Sequence, residues 1–241
     1  MWLGAEQAVL TIAHRGASAR YPENTLSAFL AAAEAGAEIC EFDVRMTRDS
    51  EVVVIHDATV NRTTDGRGRV ASMSLAEVKR LDAGARLGVE FRGERIPTLD
   101  EVATRLTGRC AMDVELKAEG LESRVCEILR RHDALDAAAI SSFDAEQLRL
   151  VAGLEPRLRL VLLDEKDPAA MLDTAAAIGA FAVAPRFNMV EPELCAEAHR
   201  RGLAVYTWTV DDEPSMRRFI ASGVDGIMTN RPGRLRGILA G

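Results

Sequence analysis

The chain has only four cysteines, Cys40, Cys110, Cys126 and Cys195, and no two of them form a C-x-x-C pair. This excludes a zinc ribbon and a disulfide-stapled scaffold, and predicts buried free thiols in a reducing compartment. No apolar run reaches membrane-spanning length; the longest stretch of low polarity, 175–185, is too short. Residues 1–7 lack a basic n-region, so no cleaved signal is expected. The expected location is the cytoplasm, without a lipid anchor or stable membrane association. Basic charge is also lacking. A net charge of −7 excludes a non-specific nucleic-acid binder, although local cations still permit a small phosphate-bearing substrate. No long linker or internal repeat interrupts the 241 residues, which read as one domain.

What is present is ordinary in bulk, with 48% hydrophobic and 28% charged residues, enough for a large core. Strand-like runs at 9–13, 38–44, 52–56, 111–117, 137–141, 158–163, 181–184, 204–209 and 225–229 alternate with helical patterns. Those patterns cover 25–36, 98–107, 120–132, 144–153, 168–179, 191–201 and 213–222. Thr98 and Asp144 are helix-start signals, and glycines such as Gly36, Gly108, Gly153 and Gly202 end helices. Repeated βα units over this length predict an α/β fold, a TIM (β/α)8 barrel, with a doubly wound open sheet as the alternative. Nine strand candidates exceed eight barrel positions. A hairpin arm outside the barrel accounts for the surplus. Residues 58–96, with one helical stretch at 74–82, read as an inserted segment after the third strand-like run.

Chemistry concentrates in four clusters at or near strand ends: His14-Arg15-Gly16, Glu41-Phe42-Asp43, His56-Asp57 and Glu115-Leu116-Lys117. Residues two apart in a strand share a face, so Glu41 and Asp43 point one way, as do Asp113, Glu115 and Lys117. The apolar residues Ile39, Phe42, Val44, Met112, Val114 and Leu116 are expected on the other face, under helices. Carboxylates then look into the barrel, where unpaired charge is expensive and a bound cation offsets it. Oxygen ligands suit a hard cation, imidazole suits proton transfer near neutral pH, and arginine suits phosphate oxygens. The set is a kit for cleaving a phosphate ester. Between Asp43 and His56 the chain is too short for a parallel crossover. It predicts an antiparallel hairpin turning at Asp49-Ser50, with Asp43 opposite His56 at about 4.5–5.5 Å between Cα atoms.

Other residues carry weaker signals. His132 and His199 lie near helix ends and read as solvated or dipole-complementing. Pro22-Glu23-Asn24-Thr25 reads as a helix start capped by Asn24 or Thr25. Gly66 and Gly68 read as turn residues, because no P-loop lysine or helix follows. Trp208, late in a strand, is either core or a pocket wall. Asn230-Arg231-Pro232 reads as a turn.

These clusters resemble the glycerophosphodiester phosphodiesterase family. The resemblance runs from about residue 11 to 236. It rests on His14-Arg15-Gly16, Pro22-Glu23-Asn24-Thr25, Glu41-x-Asp43, His56-Asp57, Arg62-Thr63-Thr64-x-Gly66, Ile96-Pro97-Thr98-Leu99, Glu115-x-Lys117, Ser142-Phe143 and Gly223-Val224-Asp225-Gly226-Ile227-Met228-Thr229. It implies a TIM barrel with an insertion and hydrolysis of a small-molecule glycerophosphodiester to an alcohol and sn-glycerol 3-phosphate. It implies a divalent cation, Ca²⁺ or Mg²⁺, on Glu41, Asp43 and Glu115, general acid–base roles for His14 and His56, and Arg15 at the phosphate. Lys117 adds positive charge, and Trp208 is a further candidate for substrate contact. Asp113 departs from the pattern, which carries a neutral polar residue such as Asn there. A lysophospholipase D-type enzyme and a catalytically silent phosphodiester-binding barrel are the alternatives. The 58–96 segment, rich in Arg62, Arg67, Arg69, Arg86 and Arg92 and without a strong apolar stripe, is expected to cap the barrel mouth and select the alcohol.

Overall fold

The runs of β-branched and apolar residues form a closed barrel in the computed structural model, which describes residues 9–241. The expectation about residues 1–7 lies outside the described residues. The strands are β1 (Leu10–His14), β2 (Ile39–Met46), β3 (Val52–Val54), β4 (Ala111–Leu116), β5 (Ala138–Ser142), β6 (Arg159–Asp164), β7 (Ala182–Pro185), β8 (Ala204–Thr207) and β9 (Gly226–Thr229). The helices are α1 (Leu26–Glu34), α2 (Leu75–Val78), α3 (Leu99–Leu106), α4 (Glu122–Arg131), α5 (Ala145–Leu154), α6 (Pro168–Ala177), α7 (Pro192–Arg200), α8 (Glu213–Ala221) and α9 (Pro232–Ala240). Eight strands pair in parallel in the order β1-β9-β8-β7-β6-β5-β4-β2, and β1 also pairs with β2. That last pairing closes the sheet and rules out the open doubly wound arrangement. The remaining strand, β3, lies antiparallel on β2, outside the parallel ring.

The hairpin is antiparallel, but its register differs by one from the expected one. Val44 faces Val54 and Met46 faces Val52. The Ile55 N–H donates to the Asp43 carbonyl at 2.9 Å, so Ile55, not His56, sits opposite Asp43. The cause is the turn. Thr47 N–H donates to the Glu51 carbonyl, and Ser50 takes a left-handed φ of 62°. The loop therefore has three residues, Arg48, Asp49 and Ser50, instead of two, a common hairpin solution ending in a left-handed residue. His56 leaves the ladder, and Arg45 Nε pins its carbonyl at 2.7 Å.

Alternation sorts the barrel strands into two cores. Ala13, Phe42, Val44, Met112, Val114 and Leu116 face the surrounding helices. Ile12, Ile39, Ala111, Ala139, Val161 and Tyr206 fill the barrel interior. Ile39 was expected under the helices; its parity with Glu41 places it inside, at the floor beneath the carboxylates. Gly226 makes room for Tyr206: a Cβ there would lie 2.7 Å from the Tyr206 ring.

Caps fix where helices begin. Thr25 accepts from the Ala28 N–H, and Thr98 and Glu101 form a reciprocal capping box. Asp144 accepts from the Glu146 N–H. The tail read as a turn at 230–232 opens α9, with Pro232 at the first helical position, where its missing N–H is harmless.

Residues 58–96 hold only α2 and short 3-10 turns. Their apolar residues converge: Val60, Val70, Val78, Ala83 and Ile96 pack with Val53 and Ile55 into a satellite core. The expected lack of an apolar stripe is thus misleading. The segment has no single long element to display one, and its apolar side chains meet from separate turns. All four cysteines are buried and free, as expected. Among the described residues, no helix is long and apolar enough to cross a membrane.

Candidate active site

Three adjacent strands bring the acidic residues together. In register, His14 pairs with Glu41, Glu41 with Asp113, and Asp43 with Glu115. Glu41, Asp43 and Glu115 each offer a carboxylate oxygen within 4.8 Å of the others, and all three are buried. Glu41 Oε1 and Asp43 Oδ1 have no hydrogen-bond partner. The Arg15 guanidinium lies 3.1 Å from Asp43 Oδ2 through Nε. Lys117 Nζ lies 3.5 Å from Asp43 Oδ1 and also contacts Glu115 Oε1.

Burial and like charge leave these carboxyls unevenly balanced. Burial, then Asp43 and Glu115, push Glu41 well above the usual carboxylate range. Burial and Asp43 push Glu115 up to about 7 despite Lys117. Burial acts upward on Asp43 as well, but Arg15 and Lys117 outweigh it and hold that carboxyl below its ordinary value. Asp113 sits deeper, 1% exposed and beside Ser141, and burial pushes it up to about 7 against that neighbour. Two cations facing four buried carboxylates leave a deficit of positive charge. The chemistry of this all-oxygen cluster, with its orphaned oxygens, fits a hard divalent cation, which Glu41, Asp43 and Glu115 are placed to ligate.

The chain reverses sharply after β1. The Arg15 N–H continues the β1–β2 ladder, donating to the Glu41 carbonyl at 2.9 Å and to Glu41 Oε2 at 3.0 Å, and Arg15 then takes a left-handed φ of 55°. Gly16 follows with φ 82°, and a Cβ there would meet the Ala28 backbone at 2.6 Å. Only glycine fits so close beneath α1. Asn24, read from sequence as a possible cap, instead donates from Nδ2 to Asp43 Oδ2 at 2.8 Å. Thr25 is the cap.

His14 is oriented by residues that sequence reasoning missed. Its Nδ1 lies 2.8 Å from Asn230 Oδ1. The Asn230 Nδ2 donates to Asp211 Oδ2 at 2.6 Å. A carboxylate only accepts, so the amide orientation is set and Oδ1 faces the ring. His14 therefore carries its proton on Nδ1 and leaves Nε2 bare. Burial, then Arg15, lower its pKa to about 4, which keeps the ring neutral. His56 has a different partner, a carboxylate: Nδ1 lies 2.8 Å from Asp57 Oδ1. Asn230 follows Met228 by two on the inward parity of β9. That parity is the signal that marks it, obscured by its reading as a turn. His132 and His199 lie at the C-terminal ends of α4 and α7, as expected, and each also pairs with an aspartate, Asp100 and Asp225.

A cavity of about 230 Å³ opens where these strands end. One side is polar: His14, Arg15, Glu41, His56, Glu115 and Lys117. The other side is Ser141, Phe143, Leu163, Glu165, Trp208 and Met228. Trp208 is a wall residue, packed edge-on against Phe143 at 5.7 Å, with its indole N–H donated to the Ala184 carbonyl at 2.8 Å. Phe143 is a second wall residue beyond the expected set. No residue of 58–96 lines the cavity, which corrects the expectation of a selecting lid. The apolar residues of that segment pack on Val53 and Ile55 instead.

Comparison with known proteins bears directly on this arrangement. Residues 14–234 match the glycerophosphoryl diester phosphodiesterase family. A glycerophosphodiester phosphodiesterase of Caldanaerobacter subterraneus is 39% identical, over 92% of this chain and 94% of its own length. One of Bacillus subtilis is 34% identical, over 93% and 84%. An Oleispira antarctica phosphodiesterase, solved in complex with the product sn-glycerol-3-phosphate, superposes with a TM-score of 0.91 at 29% identity, covering 97% of this chain and 98% of that one. The match spans the barrel and every cluster described above, and the chain belongs to the glycerophosphoryl diester phosphodiesterase family.

Proposed function

We propose that this chain hydrolyses glycerophosphodiesters to an alcohol and sn-glycerol 3-phosphate, with His14 and His56 as its proton-transfer pair. The observation that carries the reading is the cavity itself. Two differently partnered histidines, two cations and two carboxylates of the triad, Glu41 and Glu115, line about 230 Å³ at the C-terminal end of the barrel, with Asp43 buried just behind them. The family membership and the product-bound relative support the same reaction.

The two histidines are suited to different steps. His14, neutral with a bare Nε2, takes the proton from the attacking oxygen. His56, whose ring is oriented by the Asp57 carboxylate at Nδ1, turns Nε2 to the alcohol oxygen and delivers a proton there as the P–O bond breaks. Arg15 is committed through Nε and Nη1 to Asp43 and Glu23, which fixes the plane it turns toward the phosphate. Lys117 opposes the charge that builds on the phosphoryl oxygens. Glu41, Asp43 and Glu115 would hold a divalent cation, Mg²⁺ or Ca²⁺, which when bound would supply Lewis-acid polarisation of the phosphoryl group. Phe143 and Trp208 wall the substrate on the far side. A cavity this size suits a small polar alcohol.

The test is release of glycerol 3-phosphate from glycerophosphocholine, glycerophosphoethanolamine and glycerophosphoglycerol, with and without chelator. Release that stops with EDTA and returns with Mg²⁺ or Ca²⁺ is expected. No product from any of the three, or full turnover of metal-free enzyme, would overturn the reading.

A further inference from the structure

The loops carrying the phosphate-facing arginine and the proposed acid leave different strands, yet an unbroken string of ion pairs joins them. Arg15 Nη1 donates to Glu23 Oε1 at 3.0 Å. The two oxygens of Glu23 accept from Arg62 Nη2 at 2.8 Å and Nη1 at 2.7 Å. The other edge of the same guanidinium donates to Asp57, Nε to Oδ2 at 2.8 Å and Nη2 to Oδ1 at 3.0 Å. Asp57 Oδ1 then meets His56 Nδ1 at 2.8 Å. Arg62 is thus gripped by two carboxylates at once, each in a two-point fork. It is also where the 58–96 segment reaches the catalytic loops.

We infer that Arg62 is a positioning residue for the reaction: it locks the Asp57 carboxylate so that His56 presents Nε2 to the departing alcohol, and through Glu23 it holds that acid in register with Arg15. This rests on the reading of His56 as the acid. Isolated surface ion pairs are worth little in stability, and the Arg62 side chain is 46% exposed. Its value is geometric. Without it, one single bond of Asp57 swings the carboxylate toward solvent, and the ring of His56 loses its orienting partner. The lock also assigns a role to the inserted segment, which lines no part of the cavity. Its satellite core anchors one arginine at the back of the catalytic histidine.

Leaving-group dependence tests this. Glycerophosphocholine releases an alcohol that needs a proton; the p-nitrophenyl ester of glycerol 3-phosphate releases a phenolate that does not. Arg62→Ala should lower kcat on glycerophosphocholine by about 10–100-fold, the scale of a misplaced catalytic group, with KM little changed. On the nitrophenyl ester it should be near wild type. Arg62→Lys keeps the charge but cannot span both carboxylates, so it should stay slow on glycerophosphocholine, and added guanidinium ion should restore part of the Arg62→Ala rate. Equal losses on both esters by Arg62→Ala, with the loss in His56→Ala still confined to the choline ester, would overturn the inference alone. Equal losses on both esters by His56→Ala would overturn the acid assignment beneath it. Full activity of Arg62→Lys on glycerophosphocholine would show that charge suffices and the lock is unnecessary.

Discussion

Around the mouth of the barrel, the inward positions of β1, β2 and β4 read His14, then Glu41, Asp43 and Arg45, then Asp113, Glu115 and Lys117. At the same end, the arc from β5 to β9 reads Ser141, Phe143, Leu163, Trp208 and Met228, with charge beyond the strand ends at Glu165 and its partner Arg186. The difference divides the work of a diester site. Charge transfer and phosphate binding need fixed donors and acceptors held close together, and adjacent parallel strands in register supply them. Shape and exclusion of water need only a wall, which flat aromatic rings supply with little conformational entropy to lose.

If the charged arc does the chemistry, removing its cation should have the largest effect. Chelation should bring glycerol 3-phosphate release down to the uncatalysed background, and Glu115→Gln should do the same while abolishing a calorimetric Mg²⁺ or Ca²⁺ signal. Retained binding and turnover in Glu115→Gln would move the cation site elsewhere. Next come the histidines. His14→Gln or His56→Ala should lower kcat by about 10²–10⁴-fold, the usual contribution of a placed acid or base. Near-wild-type turnover in either would remove that residue from the mechanism.

The wall should matter less, and differently. Trp208→Ala and Phe143→Ala should raise KM about 3–30-fold for a choline-bearing diester, the range of an aromatic–cation contact, with kcat nearly preserved. A collapse of kcat instead would mean that the aromatic arc orients the reacting atoms and that the division drawn here is wrong.

The smallest effect concerns proton balance in the charged arc. Glu115 and Asp113 are both pushed up to about 7 in the folded protein, above their ordinary values of 4.5 and 3.8. The folded state therefore holds protons that the unfolded chain has released, and stability falls as pH rises from about 4 to about 7. Asp113→Asn should raise the Tm of metal-free protein at pH 7.5 and leave it unchanged near pH 3.5. A lower Tm for the variant at pH 7.5 would show that the carboxylate is stabilised by groups other than those described. For the same reason, added Mg²⁺ or Ca²⁺ should raise Tm more at pH 7.5 than at pH 5.5.

Much of this was readable from spacing alone, because it depends on residues close in sequence. Two-residue alternation put Glu41 with Asp43 and Glu115 with Lys117 on one face. Capping residues such as Thr98 and Asp144 placed helix starts. The surplus of strand candidates pointed to the hairpin arm outside the barrel. Where local rules were incomplete, the readings slipped. The hairpin register missed by one because a left-handed Ser50 lengthens the turn by a residue. Pro232 opens a helix that its turn-like neighbours hid.

By itself, then, the order of residues determined the barrel, the face on which the carboxylates lie and the clusters at the strand ends, since each follows from a repeat of two or from a cap within a few residues. Tertiary structure alone decided which groups meet across the closed ring. Asn230 reaches His14 over 216 residues because β9 pairs with β1. Phe143 and Trp208 meet because β5 and β8 curve toward one mouth. Arg62 bridges Glu23 and Asp57 because a satellite core packs its segment beside the hairpin. Such contacts depend on how the sheet closes and how a loop packs, and no short-range pattern in the chain encodes either distance.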